Sequence, residues 1–250
     1  MLRQEKENRS LRENLMLASS TAFVSGIVNV VCLLAFLAFS SNVTGHVANL
    51  ANHVVQQNYH EIGIFLIWLF MFFAGAFAAT FIIRSVQEKS LYKANATIIG
   101  IEIILMLAAA LYAHHLYQET QFEKEVLISL MLFVMGLQNS MVSTISGGLI
   151  KTSHLTGLFT DLGGEVAEWF HPKTAKTTVI RNKILIRLTI LGFYFIGAVG
   201  GGYFFNIYEF AIFYVVPFIL LTILYYDLSP IALHKLLRIF SKKPKTSTTI

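Results

Sequence analysis

The amino-acid sequence predicts an all-α membrane protein: six transmembrane helices as two inverted-topology three-helix repeats, each with a polar Thr-Gly helix break. Four observations predict it. Hydrophobic residues make up 55% of the 250 residues and charged residues only 13%, with a mean hydropathy of +0.63. The apolar residues come in blocks of about 20 or more, long enough to cross roughly 30 Å of hydrocarbon. Apart from Lys124, every Lys and Arg falls on alternate connections between those blocks, the mark of cytoplasmic loops. Finally, a polar string occurs twice, S-N-V-T-G-H-V-A-N-L-A from Ser41 and S-H-L-T-G-L-F-T-D-L-G from Ser153.

Residues 1–14 form a basic cytoplasmic arm. The apolar run Met16 to Phe39 is longer than the core of a signal peptide and is read as a retained first span. The six spans are 15–40, 61–84, 94–115, 125–149, 183–205 and 207–228. The first three-span repeat is 15–115, the second is 125–228, and 229–250 is a cytoplasmic tail. The tail opens with P-I-A-L-H-K-L-L-R-I-F, an amphipathic stretch expected on the membrane surface. It ends in basic, Ser/Thr-rich residues expected to be disordered.

The basic residues fix the orientation. Arg3, Lys6, Arg9 and Arg12 sit in the arm; Arg84, Lys89 and Lys93 in one connection; Lys151, Lys173, Lys176, Arg181, Lys183 and Arg187 in another; and Lys235, Arg238, Lys242, Lys243 and Lys245 in the tail, which leaves only Lys124 on the other side. Both termini are therefore expected in the cytoplasm, which requires an even number of spans. The formal charge of +5 and pI near 9.3 would suggest nucleic acid. The charges flank apolar segments instead, so no nucleic-acid partner is expected. The single cysteine, Cys32, lies within a span, which excludes an intrachain disulfide.

Three spans per repeat is an odd number, so the second copy runs through the membrane in the opposite sense. That arrangement recurs in secondary transporters, whose sites lie at the midplane between the repeats. The matches extend further. Gly26 to Asn29 and Gly136 to Asn139 both read G-x-x-N, and Gly75 with Ala79 aligns with Gly197 and Gly201. Small residues four apart let helix backbones approach closely, and these four are assigned to helix packing. Asn29 and Asn139 each lie near mid-span. Carboxamides are costly there if unpaired, so they either bond to one another or line a polar cavity.

These strings, with G-L-Q-N-S and K-T-S-H-L-T-G-L-F-T-D-L-G in the second half, resemble the YoaK family, the domain of unknown function numbered 1275. The resemblance covers roughly residues 15–228. It implies a bacterial multi-pass protein of the inner membrane, with no established biochemical activity. Relatives usually carry Asp at the position of Asn29 and Asn at that of His46. A cation- or proton-carrying role of the first acid would not transfer to Asn29.

Thr44-Gly45 and Thr156-Gly157 are the candidates for broken half-helices, since glycine permits a helix end and helix N-termini present partial positive charge. Ser41 and Ser153 open the same strings. Asn49 and Asp161 occupy equivalent positions in them, and Glu165 and Glu168 continue past Asp161. Gln138, Asn139, Ser140, Ser143 and Thr144 form a polar stripe on span 4, which suits interhelical bonding or a cavity wall. Glu102 lies inside span 3, where an acid is a functional hypothesis by default. It could couple protons or bond a neighbouring helix. Histidines His46, His53, His60, His114 and His115 gather on the outer side without a metal-ligand spacing, so no metal and no cofactor is expected.

The favoured function is secondary-transporter-like. A small polar or anionic solute or ion would bind at the midplane among Asn29, Ser41, Thr44, Gly45, Asn49, Gln138, Asn139, Ser153, Thr156, Gly157 and Asp161, with Glu102 as proton site. The alternative is a non-transporting scaffold or signalling protein acting through its cytoplasmic loop and tail. An enzyme working through Asp161, Glu165 and Glu168 ranks third. The lipid bilayer is a partner in every case, and a homo-oligomer is compatible with all of them.

Overall fold

Ser10 and Thr120 open the two most central helices in the same way. Each side chain accepts the amide of the glutamate three residues on, and Glu13 or Glu123 bonds back to the cap amide. These capping boxes satisfy donors that a helix start leaves orphaned. They begin α1 (Leu11–Phe36) and α5 (Gln121–Ser146). The computed structural model describes residues 2, 3 and 8–241, with side chains through Leu228. The basic end of the tail and the apolar face expected of its amphipathic stretch lie outside the described residues.

Helix makes up 83% of the chain, and no strand occurs among the described residues; the fold class is all-α. After α1 come α2 (Val43–Val55), α3 (Tyr59–Val86) and α4 (Leu91–His115). After α5 come α6 (Leu155–Phe170), α7 (Thr178–Tyr208), a 3-10 turn at Glu209–Tyr214, and α8 (Val215–Ser241). Among the described residues, five stretches are long and apolar enough to cross a membrane. They are α1, α3, α4, α5 and the continuous run Thr178–Leu228, which holds α7, the 3-10 turn and the first part of α8.

Burial separates the centre from the rim. About two thirds of the apolar windows of α1 and α5 are buried (67% and 61%), against 28% for α3 and 33% for Thr178–Leu228. The outer helices therefore turn large apolar side chains outward. On α3, Phe73, Phe77 and Phe81 stack in a ladder with centroids 6.3 and 5.9 Å apart, and all three are more than half exposed. Water would penalise so large an apolar face, whereas hydrocarbon solvates it without cost. This is a membrane-type helical protein.

Packing runs between the two halves of the chain. The most extensive contacts join α1 to α7 and α3 to α5. Further contacts join α2 to α3, α6 to α7, α4 to α5, α1 to α8, α1 to α5 and α4 to α8. Both main crossings depend on glycine. A Cβ at Gly26 would overlap the Tyr194 carbonyl oxygen on α7, and one at Gly197 would overlap the Phe23 carbonyl oxygen on α1. A Cβ at Gly136 would overlap the Phe72 carbonyl oxygen on α3, and one at Gly75 the Phe133 carbonyl oxygen on α5. Gly201 sits where a Cβ would come 2.9 Å from the Ile27 Cα, and Ala79 is fully buried. The glycine of each G-x-x-N is thus a packing residue facing the glycine already assigned to packing.

Both central helices end in left-handed residues, Leu37 at φ 57° and Gly147 at φ 61°, the latter followed by Gly148 at φ 82°. The break in the chain is here, in residues 37–42 and 147–154, and not at Thr-Gly as the motif suggested. Thr44-Gly45 and Thr156-Gly157 lie in the first turns of α2 and α6. Their glycines make room for the residue that caps the helix. A Cβ at Gly45 would strike the Asn42 side chain, whose Oδ1 accepts the Gly45 amide at 3.0 Å. One at Gly157 would lie 2.6 Å from Nδ1 of His154.

The N-terminal arm also departs from expectation, because its start is docked. Leu2 is fully buried; its amide donates to the Asp227 carboxylate at 2.6 Å and its carbonyl accepts from Asn95 Nδ2 at 2.9 Å. Arg3 lies over the Tyr92 ring, 5.5 Å from the centroid.

At the other end of α1, His46 fixes the position of α2. It is 4% exposed, donates from Nε2 to the Phe39 carbonyl at 2.8 Å, and packs between Phe65 and Trp68 of α3. Burial lowers its pKa below the usual 6.5, with the Phe39 carbonyl pulling weakly the other way. A depressed histidine stays neutral in the fold while the unfolded chain protonates. Its contribution is complete above about pH 6.5 and is lost as the pH falls below that value. The stability gap between the wild type and His46→Gln, measured by thermal unfolding in detergent, should therefore narrow from pH 7.5 to 5.5. A gap constant over that range would show that the imidazole is not linked to folding.

Candidate functional site

Asn29 on α1 and Asn139 on α5 each reach the break that follows their own helix. Asn29 Oδ1 accepts from Ser41 Oγ at 2.9 Å and Ser40 Oγ at 3.2 Å, and its Nδ2 donates to the Ser25 carbonyl at 2.9 Å. Asn139 Nδ2 donates to Ser153 Oγ at 2.6 Å, and its Oδ1 accepts from Thr152 Oγ1 at 3.3 Å. The two carboxamides do not pair with one another. Each folds the polar chain after its helix back against that helix, which sets where α2 and α6 begin.

The two folded-back segments border a half-open cavity of about 580 Å³. Its wall is made of matching residues from the two halves: Asn29 with Asn139, Ser41 with Ser153, Asn42 with His154, Val43 with Leu155, Thr44 with Thr156, and Phe72 with Tyr194. Phe39, Ser143 and Lys151 complete it. The first residues of α2 and of α6 both border this space. A helix start carries unpaired amides and about half a positive charge. Each asparagine Nδ2 makes one of its two possible bonds, leaving a donor for a guest.

Six of the residues expected at a shared site, Asn29, Ser41, Thr44, Asn139, Ser153 and Thr156, do line this cavity. The other five do not. Gly45 lies beneath the capping Asn42 side chain and Gly157 beneath the His154 ring. Asn49 is exposed on α2, a full turn beyond the last α2 residue in the wall.

Gln138 is fully buried but points elsewhere, since neighbours on a helix diverge by about 100° and Asn139 faces the cavity. Its Oε1 accepts from Ser25 Oγ at 2.9 Å, and its Nε2 donates to Glu102 Oε1 at 2.9 Å. Glu102 is likewise fully buried and outside the cavity wall, and its Oε2 has no hydrogen-bond partner. This relay ties α1, α5 and α4 together behind the cavity.

Asp161 belongs to an ion cluster. Arg187 Nη2 lies 3.1 Å from its carboxylate and 3.6 Å from that of Glu165, and Lys151 Nζ lies 3.9 Å from Asp161. Arg187 is only 6% exposed and also donates to the Leu149 carbonyl at 2.6 Å. A buried guanidinium needs this compensation, and Asp161 supplies part of it from outside the cavity wall.

Sequence reasoning missed these five contributors, among others. Ser40 and Thr152 stand one place before the repeated strings, where an alignment extended by one residue shows hydroxyls in both copies. Lys151 was counted only as a topology charge. Phe72 and Tyr194 lie three residues before the aligned Gly75 and Gly197, a spacing that marks equivalent positions.

Residues 17–226 match the family described as "Protein of unknown function (DUF1275)". No curated protein and no solved structure matches the chain.

Proposed function

We propose that this chain, which belongs to the DUF1275 family over most of its length, is a small secondary-transporter-like protein that moves a small polar or anionic solute or ion through the shared cavity. In this reading, six spans form two inverted three-span repeats in an inner membrane, with both termini cytoplasmic. The observation that carries it is the cavity wall, in which residues from one half are matched pair by pair by residues from the other. Exchanging α1 with α5, α2 with α6, α3 with α7 and α4 with α8 also maps most of the helix contacts onto one another, the α3–α4 contact excepted. A duplicated bundle with its site between the copies would have these properties.

Glu102 is the proposed proton site. It is a buried acid with one oxygen uncommitted, joined through Gln138 to the helix that carries Asn139.

The test is uptake into proteoliposomes, screened over small solutes with and without a proton gradient. Asn139→Ala and Thr156→Val should each reduce uptake roughly tenfold or more, the cost of one or two hydrogen bonds to a polar guest. Glu102→Gln should remove the gradient dependence. Absence of flux for every solute, or full flux in both cavity variants, would refute the proposal.

A further inference from the structure

The cavity wall is matched in position but not in chemistry. Where the second half contributes Lys151, His154 and Tyr194, the first contributes Phe39, Asn42 and Phe72. Both walls offer hydrogen-bonding groups, but the second carries the cation and the first carries two phenyl rings. We infer that the cavity takes a small organic monoanion with an apolar end, its charged group on the Lys151 side and its apolar part against Phe39 and Phe72. This rests on the transporter-like reading of the cavity and adds the charge, shape and orientation of the guest.

Among the described residues of the wall, Lys151 is the only one with a full charge, and no carboxylate lines it. Asp161 offsets that charge only in part, because its carboxylate is shared between Arg187 at 3.1 Å and Lys151 at 3.9 Å and lies outside the wall. The hydroxyls of Ser153 and Thr156 and the first turn of α6 flank the lysine on the same side. They supply donors for oxygen acceptors and a field of the same sign. A cation would meet Lys151 with nothing opposite to hold it. A doubly charged inorganic anion would leave the phenyl rings facing its hydration shell. A volume of about 580 Å³ holds a benzoate-sized ion with several waters.

A cysteine at the cavity wall reads the field without knowledge of the natural substrate. Cys32 is fully buried, so Thr156→Cys can be made in the full-length protein in lipid nanodiscs. Its reaction rates with sulfonatoethyl and trimethylammonioethyl methanethiosulfonate are compared. The same thiolate attacks both reagents and displaces methanesulfinate from each, so the ratio cancels the thiol's own pKa. The anionic reagent should be favoured about fivefold or more over the ratio seen with Lys151→Gln added, the effect of a potential near kT.

Benzoate should protect the thiol several-fold better than acetate. Phe39→Ala should remove that advantage, and benzylammonium should not protect. A preference for the cationic reagent, or a ratio unchanged by Lys151→Gln, would overturn the charge assignment while leaving any measured uptake standing. Equal protection by benzoate and acetate would overturn the apolar end. A thiol that neither reagent reaches would overturn both this inference and the cavity's role in transport.

Discussion

Gly136→Ala is expected to destabilise the bundle by about 2–3 kcal/mol, the upper part of the range for inserting a carbon into packed structure. The contact it disturbs is with backbone, since the new Cβ would overlap the Phe72 carbonyl oxygen and lie 3.1 Å from the Ala76 nitrogen. No side-chain rotation relieves that; α3 and α5 must move apart. Gly26→Ala should behave alike at the α1 crossing, against Tyr194 and Ala198. The control is Gly100→Ala on α4, where a Cβ meets nothing within 4 Å. There the change should be neutral or stabilising by up to about 1 kcal/mol from helix propensity. Unfolding midpoints in mixed micelles of rising SDS fraction would separate the two. Equal behaviour of Gly136→Ala and Gly100→Ala would show that the crossing is looser than the structure has it.

Gln138→Leu should cost a similar amount for a different reason. It removes the only described partner of the Glu102 carboxyl and strands it and the Ser25 hydroxyl in the core. A buried polar group left unpaired costs about 1–3 kcal/mol. The expectation is asymmetric. Glu102→Gln keeps an oxygen that can accept from Gln138 and should be mild, while the double change Glu102→Leu with Gln138→Leu removes both partners and should recover much of the loss. If the double variant is as unstable as the sum of the singles, the loss comes from packing and not from the stranded acid.

Legibility in the sequence differed by kind of contact. The helices and their membrane character were written in long apolar runs, and the cavity pairs Asn29–Ser41 and Asn139–Ser153 in a repeat that could be aligned by eye. The glycine crossings were only half legible. Gly75 and Gly197 carried a spacing signal, but their partners are the carbonyls of Phe133 and Phe23, and a backbone atom leaves no mark on residue identity.

Gln138 was misplaced because adjacent polar residues on a helix face different ways, and a stripe read as one face was two. Asp161 was misplaced because its partner, Arg187, lies on another helix, where no local spacing announces it. The Thr-Gly pair drew attention to the right place for the wrong reason. It does not interrupt a helix; it lets the side chain just before the helix, Asn42 or His154, lie over the helix start.

The crossings of α1 with α7 and α3 with α5 also have a consequence in time. Gly26 and Gly197 are 171 positions apart in the chain. At synthesis rates of 5–20 residues per second, α1 waits roughly 10–35 s for the helix it packs against. Through that interval its glycine-notched face has only lipid, α5 or the synthesis machinery beside it. Likewise α3 waits for α5. Neither half holds its own principal partner, so the bundle closes late, by interleaving two incomplete pieces rather than by docking two finished ones.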